Sequence, residues 1–202
     1  MRAHALAIVA AGLTLVLAAC GSTPVPDIAY YQIAPASGIA ARDEQPLGLP
    51  VVVDVFSADG LHGEQAILYA LRPEGSVRAY HYQLWNDPPV RMLQRRLIAR
   101  LRDENFAPLV ADRLPASVAS YRVSGVIEKF ERVQLEDGVW HAQVRIEMRV
   151  DAGAQDLPAL LKLYEADVAA DGESIQATVR AFGAAVDDIL GRFSADFATL
   201  GT

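Results

Sequence analysis

Cysteine occurs once in the 202 residues, at position 20. A single thiol excludes a disulfide framework and zinc sites built on several thiolates. Histidine is scarce too: His4, His62, His81 and His141 are all there is, and no two share a ligand spacing such as H-x-x-x-H. No metal site is therefore expected. The nucleophile elbow G-x-S-x-G, the P-loop and the G-x-G-x-x-G fingerprint are all missing, which removes the commonest motif-bearing hydrolases and nucleotide-binding folds. Positive charge is also in deficit, with 18 basic against 25 acidic residues and a net charge of −7. That balance argues against nucleic acid, whose phosphates need a basic face. No apolar run is long enough to cross a bilayer. The carboxylate pairs Asp103-Glu104, Glu136-Asp137 and Asp187-Asp188 fall at helix ends, turns or a polar helical face and read as solvated charge. No acid, base and oxyanion donor can be assembled from adjacent elements, so the chain reads as a non-enzyme without a cofactor.

What is present starts at the amino terminus. Arg2 makes a short basic region, Ala5 to Val16 an apolar core too short to span a membrane, and Leu17-Ala18-Ala19-Cys20 a lipobox. A lipoprotein signal peptidase needs small residues before the cut and a cysteine after it. Residues 1–19 are thus expected to leave as a signal peptide, with Cys20 carrying the lipid. Residues 20–27, with Pro24 and Pro26, form a tether of at most ~25 Å at ~3.3 Å per residue. Residues 28–202 are expected to fold as a single domain.

Ile28–Ile33 and Leu49–Phe56 read as strands, the second buried on both faces in the middle of a sheet. Ala66–Leu71 and Val77–Tyr82 read as a hairpin, and Pro108–Val110 as a short extended piece. Tyr121–Arg132 reads as a long strand whose alternation shifts phase near Gly125, a predicted bulge or bend. Val139–Val150 alternates most clearly, with Trp140, Ala142, Val144, Ile146, Met148 and Val150 on one side. Leu160–Val168 is another strand. Ser174 can cap a last helix whose apolar face includes Val179, Phe182, Val186, Ile189, Leu190, Phe193 and Phe197. Two long helices on an antiparallel or mixed sheet of about six to eight strands give an α+β, two-layer sandwich.

The stretch that organises the chain is the corner from Tyr80 to Pro89 and its helix to about Glu104. Asp87 is the predicted N-cap, with Pro88 in the first helical position. Val90, Leu93, Leu97, Ile98 and Leu101 share one arc. Arg91, Arg95 and Arg102 follow one border and Arg96 and Arg100 the other. These arginines are either surface residues whose stems cover the edges of the apolar stripe or a basic strip that docks an acidic partner or lipid phosphates. Tyr80, Tyr82 and Trp85 are either core or interface aromatics, with Trp85 favoured as an anchor at the strand end.

The lipobox at Cys20, Tyr30-Tyr31-Gln32-Ile33, and Tyr80-x-Tyr82-x-x-Trp85-x-x-Pro88-Pro89 leading into Leu93, Leu97 and Leu101 together resemble the ABC-type transport auxiliary lipoproteins, the PqiC-like family. The resemblance implies a periplasmic α/β lipoprotein without ATPase or catalytic site, working beside MCE-type lipid transport systems. It implies an MCE-type periplasmic protein as partner and, because Gly21 rather than Asp follows the cysteine, an outer-membrane anchor on the periplasmic leaflet. Self-association into a homo-oligomer is left open. Tyr80, Tyr82, Trp85, Arg91 and Arg95 are the candidate partner-binding residues. The alternative is a periplasmic lipid-binding carrier or assembly chaperone holding acyl chains between helix and sheet. Cys20→Ala should leave unprocessed, unacylated precursor; normal palmitate labelling of that variant would contradict the lipobox.

Overall fold

The computed structural model describes residues 26–73, 75–153 and 157–201; the expected signal peptide, Cys20 and the first part of the expected tether lie outside the described residues. The elements in order are β1 (Ala29–Tyr31), β2 (Val51–Val53), β3 (Ser57–Ala58), β4 (Ala66–Ala70), β5 (Arg78–Trp85), α1 (Pro89–Asp103), β6 (Val110–Ala111), β7 (Tyr121–Gln134), β8 (Trp140–Ala152), β9 (Leu160–Ala169) and α2 (Ile175–Ala198). A single 3-10 turn, Thr199–Gly201, follows α2. The class is α+β, as expected, but the mixed sheet has nine strands rather than six to eight.

The extra strands come from how the chain runs along β7. β2, β3 and β4 all lie parallel to β7, at Val51↔Tyr121, Ser57↔Val126 and Leu68↔Glu131, so one edge of β7 carries three pieces end to end. The predicted single strand Leu49–Phe56 is therefore cut at Val53. Its pairing resumes at Ser57, after Phe56 has turned its ring over Gly125. A Cβ at Gly125 would sit 2.8 Å from that ring, so glycine is required by close approach. The expected phase shift of the long strand is real, but the register slips between Ile127 and Lys129 instead, placing the bulge at Glu128. Before it, Val123 and Ile127 face the helices; after it, Phe130 does.

β8 runs antiparallel along the other edge of β7, and β9 antiparallel to β8. Ala142, Val144, Ile146, Met148 and Val150 are all buried, while Arg145 and Arg149 on the opposite face are exposed. This is the period-two pattern of a sheet covered on one side. Both helices supply that cover. Ser174 caps α2, its hydroxyl accepting from the Ala177 N–H at 3.1 Å, as the sequence predicts. Val179, Phe182, Val186, Ile189, Leu190, Phe193 and Phe197 fill the space above the sheet.

Polar contacts fasten the outer strand. Lys162 Nζ and the Tyr164 hydroxyl donate to the Asp196 carboxylate of α2 at 2.7 and 2.6 Å. Together they hold that carboxyl below the usual carboxylate range. A depressed folded-state value means this contribution is complete above the ordinary carboxyl value of about 3.9 and is lost as the pH falls through the lower one. Arg192 of α2 reaches over β9 to the Glu165 carbonyl at 2.6 Å, occupying one acceptor on the sheet's edge.

Candidate functional site: the strand-to-helix corner

The corner is fixed before the helix begins. Trp85 closes β5, with its N–H donating to the Gln65 carbonyl at 2.6 Å and Tyr31 of β1 beside it in parallel register. Asn86 N–H donates back to the Tyr31 carbonyl at 2.8 Å. The N-cap is Pro88, with φ −54° and ψ 139° and no side-chain cap, and Pro89 takes the first helical position. The predicted cap at Asp87 is thus displaced by one residue. A residue before proline is driven into the extended region, so Pro88 cannot join the helix and Asp87 lies too far out to cap it. Asp87 instead forms an ion pair with Arg95.

α1 ends in a Schellman motif. Phe106 N–H donates to the Leu101 carbonyl and Asn105 N–H to the Arg102 carbonyl, both at 3.0 Å, with Asn105 at φ 53°. The loop before β2 is sewn to this end. Arg42 N–H reaches the Glu104 carbonyl at 3.0 Å, Asn105 Nδ2 the Arg42 carbonyl at 3.2 Å, and Gln45 Nε2 the Asn105 side chain at 3.0 Å. No sequence pattern marks these contacts, because they join segments some 60 residues apart.

The five arginines of α1 divide by environment. Arg96 grips Asp187 of α2 through Nε and Nη2, at 2.7 to 2.9 Å. Arg100 pairs with Glu104 at 2.7 Å and donates to the Asp187 carbonyl at 3.4 Å. Arg102 gives Nε and Nη2 to the Val110 carbonyl at 2.9 and 2.7 Å. These three serve the fold. Among the described residues, Arg95 is exposed and tied only to Asp87, and Arg91 is exposed with no polar partner. Glu104 and Asp187 correct the reading of their carboxylate pairs as solvated charge. Glu104 is 5% exposed and accepts a hydrogen bond from the Ser194 hydroxyl of α2.

The five candidate contact residues do not form one patch. Trp85 is 1% exposed, wedged between Phe130 and Phe182 at ring distances of 5.5 and 5.3 Å. Its place among the contact residues is therefore corrected: it holds the corner from inside. Tyr80 is half-buried, stacked on Tyr69 at 4.3 Å, and its hydroxyl accepts from Arg132 Nη1 at 2.9 Å. Arg132 lies 3.6 Å from the Trp140 ring centre, and burial draws its guanidinium below the ordinary value. Tyr82 is 37% exposed. It lines a shallow groove with Tyr80, Arg78 and His81, whereas Arg91 and Arg95 line a separate cleft on the flank of α1.

Two of the histidines have partners within the fold. Burial lowers the His62 value, which favours the neutral ring at neutral pH, and its Nδ1 accepts from the Phe130 N–H at 3.3 Å. His141 pairs with Asp167 at 2.5 Å. Among the described residues, no three His, Cys, Asp or Glu side chains are grouped to hold a metal.

The match to known proteins is decisive for the family. The model of the ABC-type transport auxiliary lipoprotein component covers residues 31–192. The chain belongs to this family. It is a family of transport auxiliary lipoproteins and not of enzymes. A protein from Xanthomonas campestris has a similar structure, with a TM-score of 0.74 at 14% identity over 86% of this chain and 96% of that one. A hypothetical protein from Chlamydia trachomatis is similar with a TM-score of 0.52 at 9% identity, over 77% of this chain and 98% of that one. At such identities the likeness shows the fold alone. No curated protein matches the sequence significantly.

The split among the arginines of this auxiliary lipoprotein has a measurable consequence. Arg96→Met should lower the unfolding free energy in urea by about 1–3 kcal/mol, since it strands Asp187 at the helix interface. Arg91→Met should change it by less than about 0.5 kcal/mol. Equal effects would contradict the assignment of Arg96 to the fold.

Proposed function

We propose that the chain is a lipid-anchored periplasmic subunit, held at the outer membrane by Cys20, of an ABC- and MCE-type lipid transport system. It acts through protein–protein contact rather than through chemistry. Tyr80, Tyr82, Arg91 and Arg95 are the contact residues, carried on two separate surfaces. The observation that carries this reading is the family match over residues 31–192, joined to a corner whose polar and aromatic side chains include some that the fold does not use. β1, the first strand after the tether, lies directly against the corner, with Tyr31 opposite Trp85. A short tether would therefore hold this corner close to the lipid surface.

The alternative of an acyl-chain carrier finds no support in the packing. Phe182, Phe193 and Phe197 are at most 1% exposed and occupy the space between α2 and the sheet, where a lipid tail would have to lie. Protein interiors packed in this way have no room for a ligand without rearrangement.

The test is a pull-down of the tagged, lipidated full-length protein from its own envelope, read by mass spectrometry, beside the Cys20→Ala form. Enrichment of an MCE-type protein with the lipidated form, in the outer-membrane fraction, is the expected result. Sedimentation of the lipidated form with the inner membrane alone, or no enrichment of any transport subunit, would overturn the proposal.

A further inference from the structure

The cleft on the outer flank of α1 has a chemistry of its own. It is a concavity of about 870 Å³ between α1, the Asp54-Val55 segment and the Asp112-Arg113 segment. Arg91, Arg95 and Arg102 line it from α1, and Arg113 faces them from across the cleft. Positions 91, 95, 98 and 102 fall on one helical stripe, and the three arginines span about 16 Å at ~1.5 Å of rise per residue. Ile98 supplies an apolar floor and Val55, 54% exposed, an apolar rim.

The cations differ in how they are held. Arg102 is pinned by two bonds to the Val110 carbonyl, which leaves three of its five N–H donors and fixes the direction of the guanidinium. Arg91 and Arg113 are exposed, and neither has a polar partner among the described residues. Of the two acids in the cleft, Asp54 is already paired with Arg122 at 2.5 Å. A net positive concavity on a chain of net charge −7 is a local inversion of the molecule's field, and such inversions select and steer anionic partners.

We propose that this cleft is the docking site for a carboxylate-rich segment of a partner protein. The inference rests on the contact role given above to Arg91 and Arg95 and adds the chemistry of what they contact. An anionic membrane surface fits less well. It is flat where the site is concave, it would bring phosphates against Asp112, and the net negative chain repels it at range. A peptide places its carboxylates singly, among the arginines and away from Asp112, and one apolar side chain can reach the Ile98–Val55 floor. Bidentate carboxylate–guanidinium pairing gives such a segment its register along the stripe.

The probe is a fluorescein-labelled, alanine-rich helical peptide with glutamates at positions i, i+4 and i+11 and a leucine at i+7. Its binding to the full chain in neutral detergent micelles is followed by anisotropy. Binding that weakens as salt rises is expected. Arg91→Glu with Arg113→Glu should weaken it by roughly tenfold or more, while Arg180→Glu, on the exposed face of α2, should leave it unchanged. The double reversal should melt with the parent, since neither side chain holds the fold. Binding unaffected by the double reversal would overturn the proposal. So would vesicles of phosphatidylglycerol and phosphatidylcholine that bind the chain through Arg91 and Arg113 and exclude the peptide, for the site would then serve lipid phosphates. If the peptide fails to bind while the envelope pull-down still captures a transport subunit, the cleft assignment falls and the transport reading stands.

Discussion

The contact on which the rest of the structure depends is the burial of Trp85 between Phe130 and Phe182. Phe130 and Phe182 themselves stack at 4.5 Å. One ring cluster thus joins the end of β5, the central strand β7 and the last helix α2. Truncating a buried tryptophan costs about 3–5 kcal/mol, a large share of the 5–15 kcal/mol that holds a typical domain together. Because Trp85 is also the last residue before the turn into α1, the same cluster sets where that helix starts. The Arg96–Asp187 grip and the buried Glu104, bonded by Ser194 and paired with Arg100, then set how the helix is rotated about its axis.

That rotation decides the fate of each charge. On one border, Arg96 and Arg100 meet α2 and are spent on the fold. On the other, Arg91 and Arg95 turn outward, beside Arg102, which is half committed to Val110. A buried ion pair adds little net stability but is costly to break. The α1–α2 clamp is therefore better seen as fixing one orientation than as strengthening the domain. On the proposed contact role, the surface is presented by a helix that cannot easily roll.

Much of this was legible in the sequence. The alternation of β8, the Ser174 cap, the apolar face of α2 and the stripe of α1 all depend on local periodicity, and each stands as read. What escaped the sequence depends on pairing at a distance. Leu49–Phe56 is apolar but for Asp54, yet its pairing breaks at Val53 because Phe56 must cover Gly125. The bulge sits at Glu128, where pairing with β8 slips, and the glycine that seemed to mark it serves the Phe56 ring instead. The Pro88-Pro89 pair, read for its first member, begins the helix at its second. Glu104 and Asp187 look like any charge at a helix end or on a polar face until α2 is laid beside α1. The aromatic and arginine residues of the corner, contiguous in sequence, separate onto different surfaces because a strand and a helix carry them in different directions.

The central claim is that the corner and α1 form one rigid body with the core. Native-state hydrogen exchange tests it most directly. The amide protons of Leu97, Ile98 and Leu101 should exchange only through global unfolding, with the same opening free energy as Ile127 of β7 and Ile146 of β8. Exchange of the α1 amides through a local opening about 2 kcal/mol or more below the global value would contradict the account, for the helix would then leave the core on its own and present no fixed surface.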